Sequence, residues 1–262
     1  MNKLKGKHIL ITGASSGIGE SIAYKVAESE AIPIMIARSE EKLVSISKNI
    51  EERFQIKAVY HSVDITDTIQ WSKVLEDILE SVQSIDVLIN NAGVGYFDTF
   101  EHSQWKHVEM MLRLNLEALY YTTYRLVPNM KKHSPTHIVS IGSQAGKIAT
   151  PKAAVYSATK ASVISFSNAL RMELKNRIYV TSVNIGPVKT AFFDTADPSG
   201  SYRNSVAKYM LDPDDVATKI IKHLFTSKRE INLPFWMDFG SKIYQNFPRL
   251  MEFILQPAFR KK

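Results

Sequence analysis

Short apolar runs rich in isoleucine and valine recur along the chain: HILIT, IPIMIA, KAVYHSV, IDVLIN, HIVSIG and YVTSVN. Segments of helix length with amphipathic spacing separate them. Strands alternating with helices predict an α/β protein whose parallel sheet is covered on both faces, because both sides of each strand are apolar. Right-handed crossovers then make the sheet doubly wound, with about seven strands and a ligand crevice at the carboxyl ends of the strands. Every run ends in small or polar residues: TGASSGIG, AR, VD, NNAG, GS and NIGPVKT, in that order. Candidate chemistry therefore gathers along one edge of the expected sheet.

The 262 residues are expected to form one domain over residues 1–262. FFDTADPSGSYRN opens a stretch, residues 192–210, expected to be a mobile substrate loop ahead of the helix that DPDD begins. Residues 235–262 read as an aromatic, amphipathic extension interrupted by Pro248 and ending in Arg260, Lys261 and Lys262, suited to a lid or an oligomer contact rather than a membrane surface.

Composition narrows the chemistry. With 45% apolar and 23% charged residues the chain suits a soluble globular protein. The absence of cysteine excludes disulfides, thiolate catalysis and cysteine-based zinc sites, and fits a cytoplasmic location. His133 and His137 flank Pro135, so they read as surface or loop residues rather than a helical metal pair, and no metal is expected. No apolar run approaches the ~18 residues that span a bilayer, and MNKLKGKHILITG enters a strand too early for a signal peptide. The net charge of +7 is spread along the chain, as on a solvated basic surface, and no nucleic-acid partner is expected.

Two local patterns carry chemistry. In TGASSGIG, Gly13, Gly17 and Gly19 stand where a strand becomes a helix; missing side chains let the backbone approach a ligand, and the free N–H groups of the helix start favour a pyrophosphate. Ser15, Ser16 and Ile18 belong to the same turn. In YSATK, Tyr156 and Lys160 are four residues apart, which on a helix puts phenol and ammonium on one face.

The G-x-x-x-G-x-G spacing, NNAG at residues 90–93 and YSATK together resemble the short-chain dehydrogenase/reductase family, from Lys7 to about Pro234. The resemblance implies a Rossmann-type fold and hydride exchange between a nicotinamide dinucleotide and a small carbonyl or alcohol. At the end of the second strand, Arg38 and Ser39 occupy the position where NAD enzymes carry a carboxylate, so NADP is expected over NAD; Glu40 and Glu41 read as the acidic first turn of the next helix. Asp64 and Ile65 match the adenine contacts, with Thr66 or Asp67 as rival helix caps. Asn91, Ala92 and Gly93 match the turn beside the adenosine ribose, either contacting it or supporting the sheet. Pro187, Val188 and Thr190 match the segment that holds the carboxamide.

The catalytic set implied is Asn115, Ser143, Tyr156 and Lys160, with Tyr156 as proton donor, Lys160 raising its acidity and holding the ribose, Ser143 at the substrate oxygen, and Asn115 holding a water; Ser157 is a rival hydroxyl. Gly95, Tyr96, Phe97, residues 144–150 and residues 192–210 are expected to meet an apolar substrate. A homodimer or homotetramer is expected. The competing reading is an NADPH-binding sensor or scaffold without turnover.

Overall fold

The computed structural model describes residues 2–259. Seven strands make one fully parallel sheet: β1 (His8–Thr12), β2 (Ile32–Ala37), β3 (Val59–Ser62), β4 (Val87–Asn90), β5 (Thr136–Ser143), β6 (Ile178–Ile185) and β7 (Glu230–Leu233), in the spatial order β3-β2-β1-β4-β5-β6-β7. The direction of winding reverses between β1 and β4, which opens a crevice at their carboxyl ends. This is the Rossmann-type doubly wound sheet expected from the pattern.

Period-two alternation sorts the strand side chains onto two apolar faces. Ile9 and Ile11 pack with Met35, Ile89 and Val183 against the helices α1 (Gly17–Glu28) and α2 (Glu40–Phe54). Leu10, Ile34, Leu88 and Ile138 point the other way, onto Trp71, Leu75 and Ile78 of α3 (Thr68–Ser81). Asp67 caps α3, accepting from the Ile69 and Gln70 amides at 3.1 Å, so the capping role falls to it and not to Asp64.

The next helix is interrupted. α4 (Trp105–Leu112) runs into a π-helical stretch, Arg113–Glu117, and then into α5 (Ala118–Lys132). One wide turn rotates Asn115 inward, where it is 1% exposed. After β5 comes α6 (Ala154–Glu173), packed on β5 and β6, which carries Tyr156 and Lys160. Residues 192–210, expected as a loop, hold α7 (Phe192–Ala196) and α8 (Ser201–Val206) ahead of α9 (Pro213–Lys222), which Asp212 caps. The chain continues through α10 (Phe235–Asn246) and α11 (Pro248–Phe259), broken at Pro248 as the sequence predicts; Arg260, Lys261 and Lys262 lie outside the described residues. None of the described helices is long and apolar enough to cross a membrane.

His137 corrects the sequence reading. It lies inside β5, 1% exposed, not on the surface. Its Nδ1 accepts the Phe225 amide at 2.9 Å, so the proton sits on Nε2, which faces the Thr181 hydroxyl at 2.9 Å. Burial holds it well below the usual imidazole range, at about 3. Pro135 blocks a helix, but a strand begins directly after it.

Candidate active site

A cavity of about 820 Å³ opens along the carboxyl ends of the strands. Its wall collects, from separate strand ends, Gly13, Ser15, Ser16, Gly17, Ile18, Arg38, Ser39, Asp64, Ile65, Asn91, Ala92, Gly93, Ser143, Tyr156, Lys160, Pro187, Val188 and Thr190. Of the expected catalytic and cofactor-binding residues, Gly19 and Asn115 are the two that do not lie on the wall.

The glycine turn is shaped by contact. Gly13 has φ +69°, and a Cβ there would stand 2.9 Å from the Ala92 Cα; Gly17, φ +56°, would strike Thr190. Both positions therefore require glycine. Gly19 sits behind the turn, where a Cβ would come within 2.2 Å of the Gly13 carbonyl, so its role is packing of helix against strand. Asn91 braces the same turn, its Nδ2 donating to the Thr12 and Gly13 carbonyls at 3.0 and 3.1 Å. The Thr12 hydroxyl accepts the Asn91 and Ala92 amides, both at 3.1 Å. Asn90 is buried in the sheet and bonds Thr123, away from the wall.

Charge is uneven along the cavity. Arg38 and Ser39 stand at one end, joined by Lys42, which the sequence reading did not single out. Lys42 lies four residues beyond Arg38, a spacing legible only once the start of α2 is known. Glu40 and Glu41 are exposed in the first turn of α2 and stay off the wall. Asp64 does reach the wall, and its Oδ1 accepts the Thr66 amide and hydroxyl at 2.9 and 2.7 Å.

At the other end, Tyr156 and Lys160 share a helix face with the Lys160 ammonium 5.9 Å from the centre of the phenol ring. Lys160 is 6% exposed and donates to the Ile141 carbonyl at 2.9 Å. Burial drives both groups toward neutrality: Tyr156 is pushed up to about 12, opposed by a hydrogen bond from Ser143, and Lys160 is pulled down to about 8. The sequence reading has the lysine raising the acidity of the phenol. In the protein alone burial raises the phenol instead, and Ser143 is the group that works against it. Ser143 also accepts the Ala145 amide at 3.1 Å. Ser157, the rival hydroxyl, is buried off the wall.

Asn115 acts from behind. Its amide bonds the Val94 backbone in both directions and donates to the Thr159 hydroxyl at 3.1 Å. Thr159 precedes Lys160 and donates to the Tyr156 carbonyl at 2.8 Å.

Above Tyr156 the cavity is aromatic. Phe97 meets Tyr156 edge-on at 5.6 Å and Tyr202 at 5.5 Å, and Phe192 lies 5.7 Å from Tyr156. Gln144, Ala145, Ile148 and Thr150 line it as expected, but Gly95 and Tyr96 do not. A Cβ on Gly95 would strike Phe192, and Tyr96 stacks on His107 at 4.0 Å. Trp236, Met237, Gly240 and Met251, from α10 and α11, complete the wall. No local motif marks them; they arrive through long-range packing.

A glycine cradle at the switch point of a doubly wound parallel sheet, facing a Ser-Tyr-Lys cluster, defines a dinucleotide-binding α/β oxidoreductase architecture. The family model for short chain dehydrogenase matches residues 7–199, and the chain belongs to that family. An uncharacterized oxidoreductase of Staphylococcus saprophyticus is 32% identical over 222 residues, covering 84% of this chain and 92% of the relative. The NADP-dependent 3-hydroxy acid dehydrogenase of Schizosaccharomyces pombe is 31% identical over 230 residues, covering 84% and 88%. Among solved structures, the 3-ketoacyl-(acyl-carrier-protein) reductase of Brucella melitensis complexed with NADH superposes with a TM-score of 0.79 at 26% identity, covering 88% of this chain and 98% of that one.

Proposed function

We propose that the protein is an NADP(H)-dependent oxidoreductase that interconverts a carbonyl and an alcohol on a small, largely apolar molecule. The observation that carries this reading is the meeting of Ser143, Tyr156 and Lys160 on one wall of a cavity whose far end is glycine-cradled and cationic. The residues fit a phosphorylated dinucleotide: Gly13 and Gly17 hold the wall in a tight positive-φ turn that side chains could not adopt, and Arg38 and Lys42 supply cations for a 2′-phosphate. Asp64 and Ile65 suit the adenine, and Val188 and Thr190 the carboxamide.

A nicotinamide dinucleotide bound here would supply or accept the hydride. Tyr156, kept protonated by burial, holds the proton that a carbonyl oxygen needs as it becomes a hydroxyl. Ser143 stabilises the negative charge that develops on that oxygen. Lys160 supplies a cation close to both phenol and ribose, and Asn115 positions the helix that carries them. Phe97, Phe192 and Tyr202 exclude water from the reacting centre.

The exposed apolar groove formed by Leu112 at the end of α4, Leu116 on the π-stretch, and Tyr120 and Tyr124 on α5 suits pairing with a second copy of the chain as a dimer or tetramer. Light scattering measures that state.

The functional test is nicotinamide absorbance over a panel of carbonyls and alcohols with both dinucleotides. NADPH should exceed NADH, and Arg38→Asp should reverse the preference, since a charged hydrogen bond to phosphate contributes about 10- to 100-fold. Tyr156→Phe should bind NADPH and lose roughly 10²- to 10⁴-fold in turnover. A parent protein that binds NADPH and turns over nothing on the panel would instead be a dinucleotide-binding scaffold.

A further inference from the structure

The helices α10 and α11 do two things at once. Trp236, Met237, Gly240 and Met251 close one wall of the cavity, while the outer side of the same pair displays large apolar groups to solvent. Phe235 is 76% exposed, Phe239 58% and Phe253 78%. Trp236 joins the two sides: it lines the cavity, is 55% exposed, and meets the exposed Tyr209 edge-on at 5.7 Å. A buried polar contact pins the pair from within. Asp238, 4% exposed, bonds Lys147 at 2.8 Å, which ties α10 to the segment following Ser143. The outward display of aromatic groups is therefore set by a buried ionic contact, not by a frayed end.

We propose that this outer face docks on an anionic lipid surface and brings the mouth of the cavity against it. Aromatic side chains at an amphipathic helix surface favour the interfacial zone of a bilayer, and neighbouring cations favour anionic headgroups. The charges agree: from residue 235 onward the sequence carries Lys242, Arg249, Arg260, Lys261 and Lys262 against Asp238, which pairs with Lys242 at 2.9 Å, and Glu252, leaving the segment net positive. A segment of net positive sequence charge favours an anionic lipid over a second copy bearing the same charge as occupant. Docking does not depend on catalysis. Entry of an apolar substrate directly from the lipid follows only if the proposed carbonyl chemistry also holds.

The test uses the full chain with vesicles of phosphatidylcholine, with and without phosphatidylglycerol. Trp71 is fully buried, so a Trp105→Phe background leaves Trp236 as the environment-sensitive fluorophore. With phosphatidylglycerol present, its emission should shift to the blue and the protein should sediment with the vesicles, less so at high salt. Phe235→Ser/Phe239→Ser/Phe253→Ser should lower partitioning roughly tenfold or more, while turnover of a water-soluble ketone stays at the parental level and serves as the folding control. No shift and no sedimentation of the parent overturns the proposal, as does a triple variant that partitions like the parent. Concentration-dependent dimers that the triple substitution abolishes, without lipid binding, would assign the face to a second copy. A parent that partitions but turns over no ketone would overturn the catalytic reading and leave the docking intact; circular dichroism then replaces turnover as the folding control.

Discussion

Asn115 and Val94 are locked in a reciprocal pair: Oδ1 accepts the Val94 amide at 2.8 Å, and Nδ2 donates to the Val94 carbonyl at 2.9 Å. The pair ties the loop after β4 to the π-helical stretch, and through Thr159 to the helix bearing Tyr156 and Lys160. Asn115→Leu keeps the size and strands two backbone groups. It should cost ~2–4 kcal/mol, measured by urea unfolding, and lower turnover more than NADPH affinity.

Lys160 should destabilise the ligand-free protein. Its folded value, about 8, lies below the 10.5 of the unfolded chain, so at pH 7 the folded state carries a buried charge at a cost. Lys160→Met should be inactive yet more stable at pH 7 by ~2 kcal/mol, allowing for the lost bond to Ile141. That advantage should shrink as pH rises from about 8 to 10.5, where the parent lysine sheds its proton in both states. Thermal melts across this window read the effect; a constant difference would contradict it.

His137 places an acid limit on the fold. Unfolded, the imidazole takes up its proton near 6.5, whereas the folded one resists to about 3. The unfolded state therefore binds more protons between those values, and stability should fall as pH drops through the window, by roughly 5 kcal/mol overall. His137→Gln, which cannot titrate, should show a flatter dependence in acid unfolding curves, whatever its stability at pH 7.

Lys147 holds Glu230 and Asp238 together, each at 2.8 Å. Burial alone would raise both carboxyls, but Lys147, with Lys242 beside Asp238, leaves them below their ordinary range. Lys147→Met should cost ~3–5 kcal/mol by leaving carboxylates uncompensated, and should loosen α10, read as faster amide exchange there. Adding Asp238→Asn should recover part of the loss.

How much of this was legible beforehand depends on the range of the interaction. The strands announced themselves because a strand buried on both faces must be apolar at nearly every position, as in IPIMIA. Gly13, Gly17 and the Tyr156–Lys160 spacing were readable because turn geometry and helix periodicity are local. Trp236 and Met251 were not, since what puts them on the cavity wall is the packing of segments far apart in sequence, and Lys42, four residues past Arg38, needed the start of α2 to be fixed. The interior position of His137 was misread for a related reason: its partners, Thr181 and Phe225, belong to distant elements.

The order of residues by itself determined the parallel sheet, the glycine turn and the pairing of phenol with ammonium, because backbone sterics and periodicity act over a few residues. Only the tertiary structure decided that Asn115 clamps a loop from behind the wall, that α10 and α11 shape the cavity, and that Tyr156 and Lys160 are both pressed toward neutrality. Solvent exclusion is set by everything that surrounds a group, and most of those surroundings come from elsewhere in the chain.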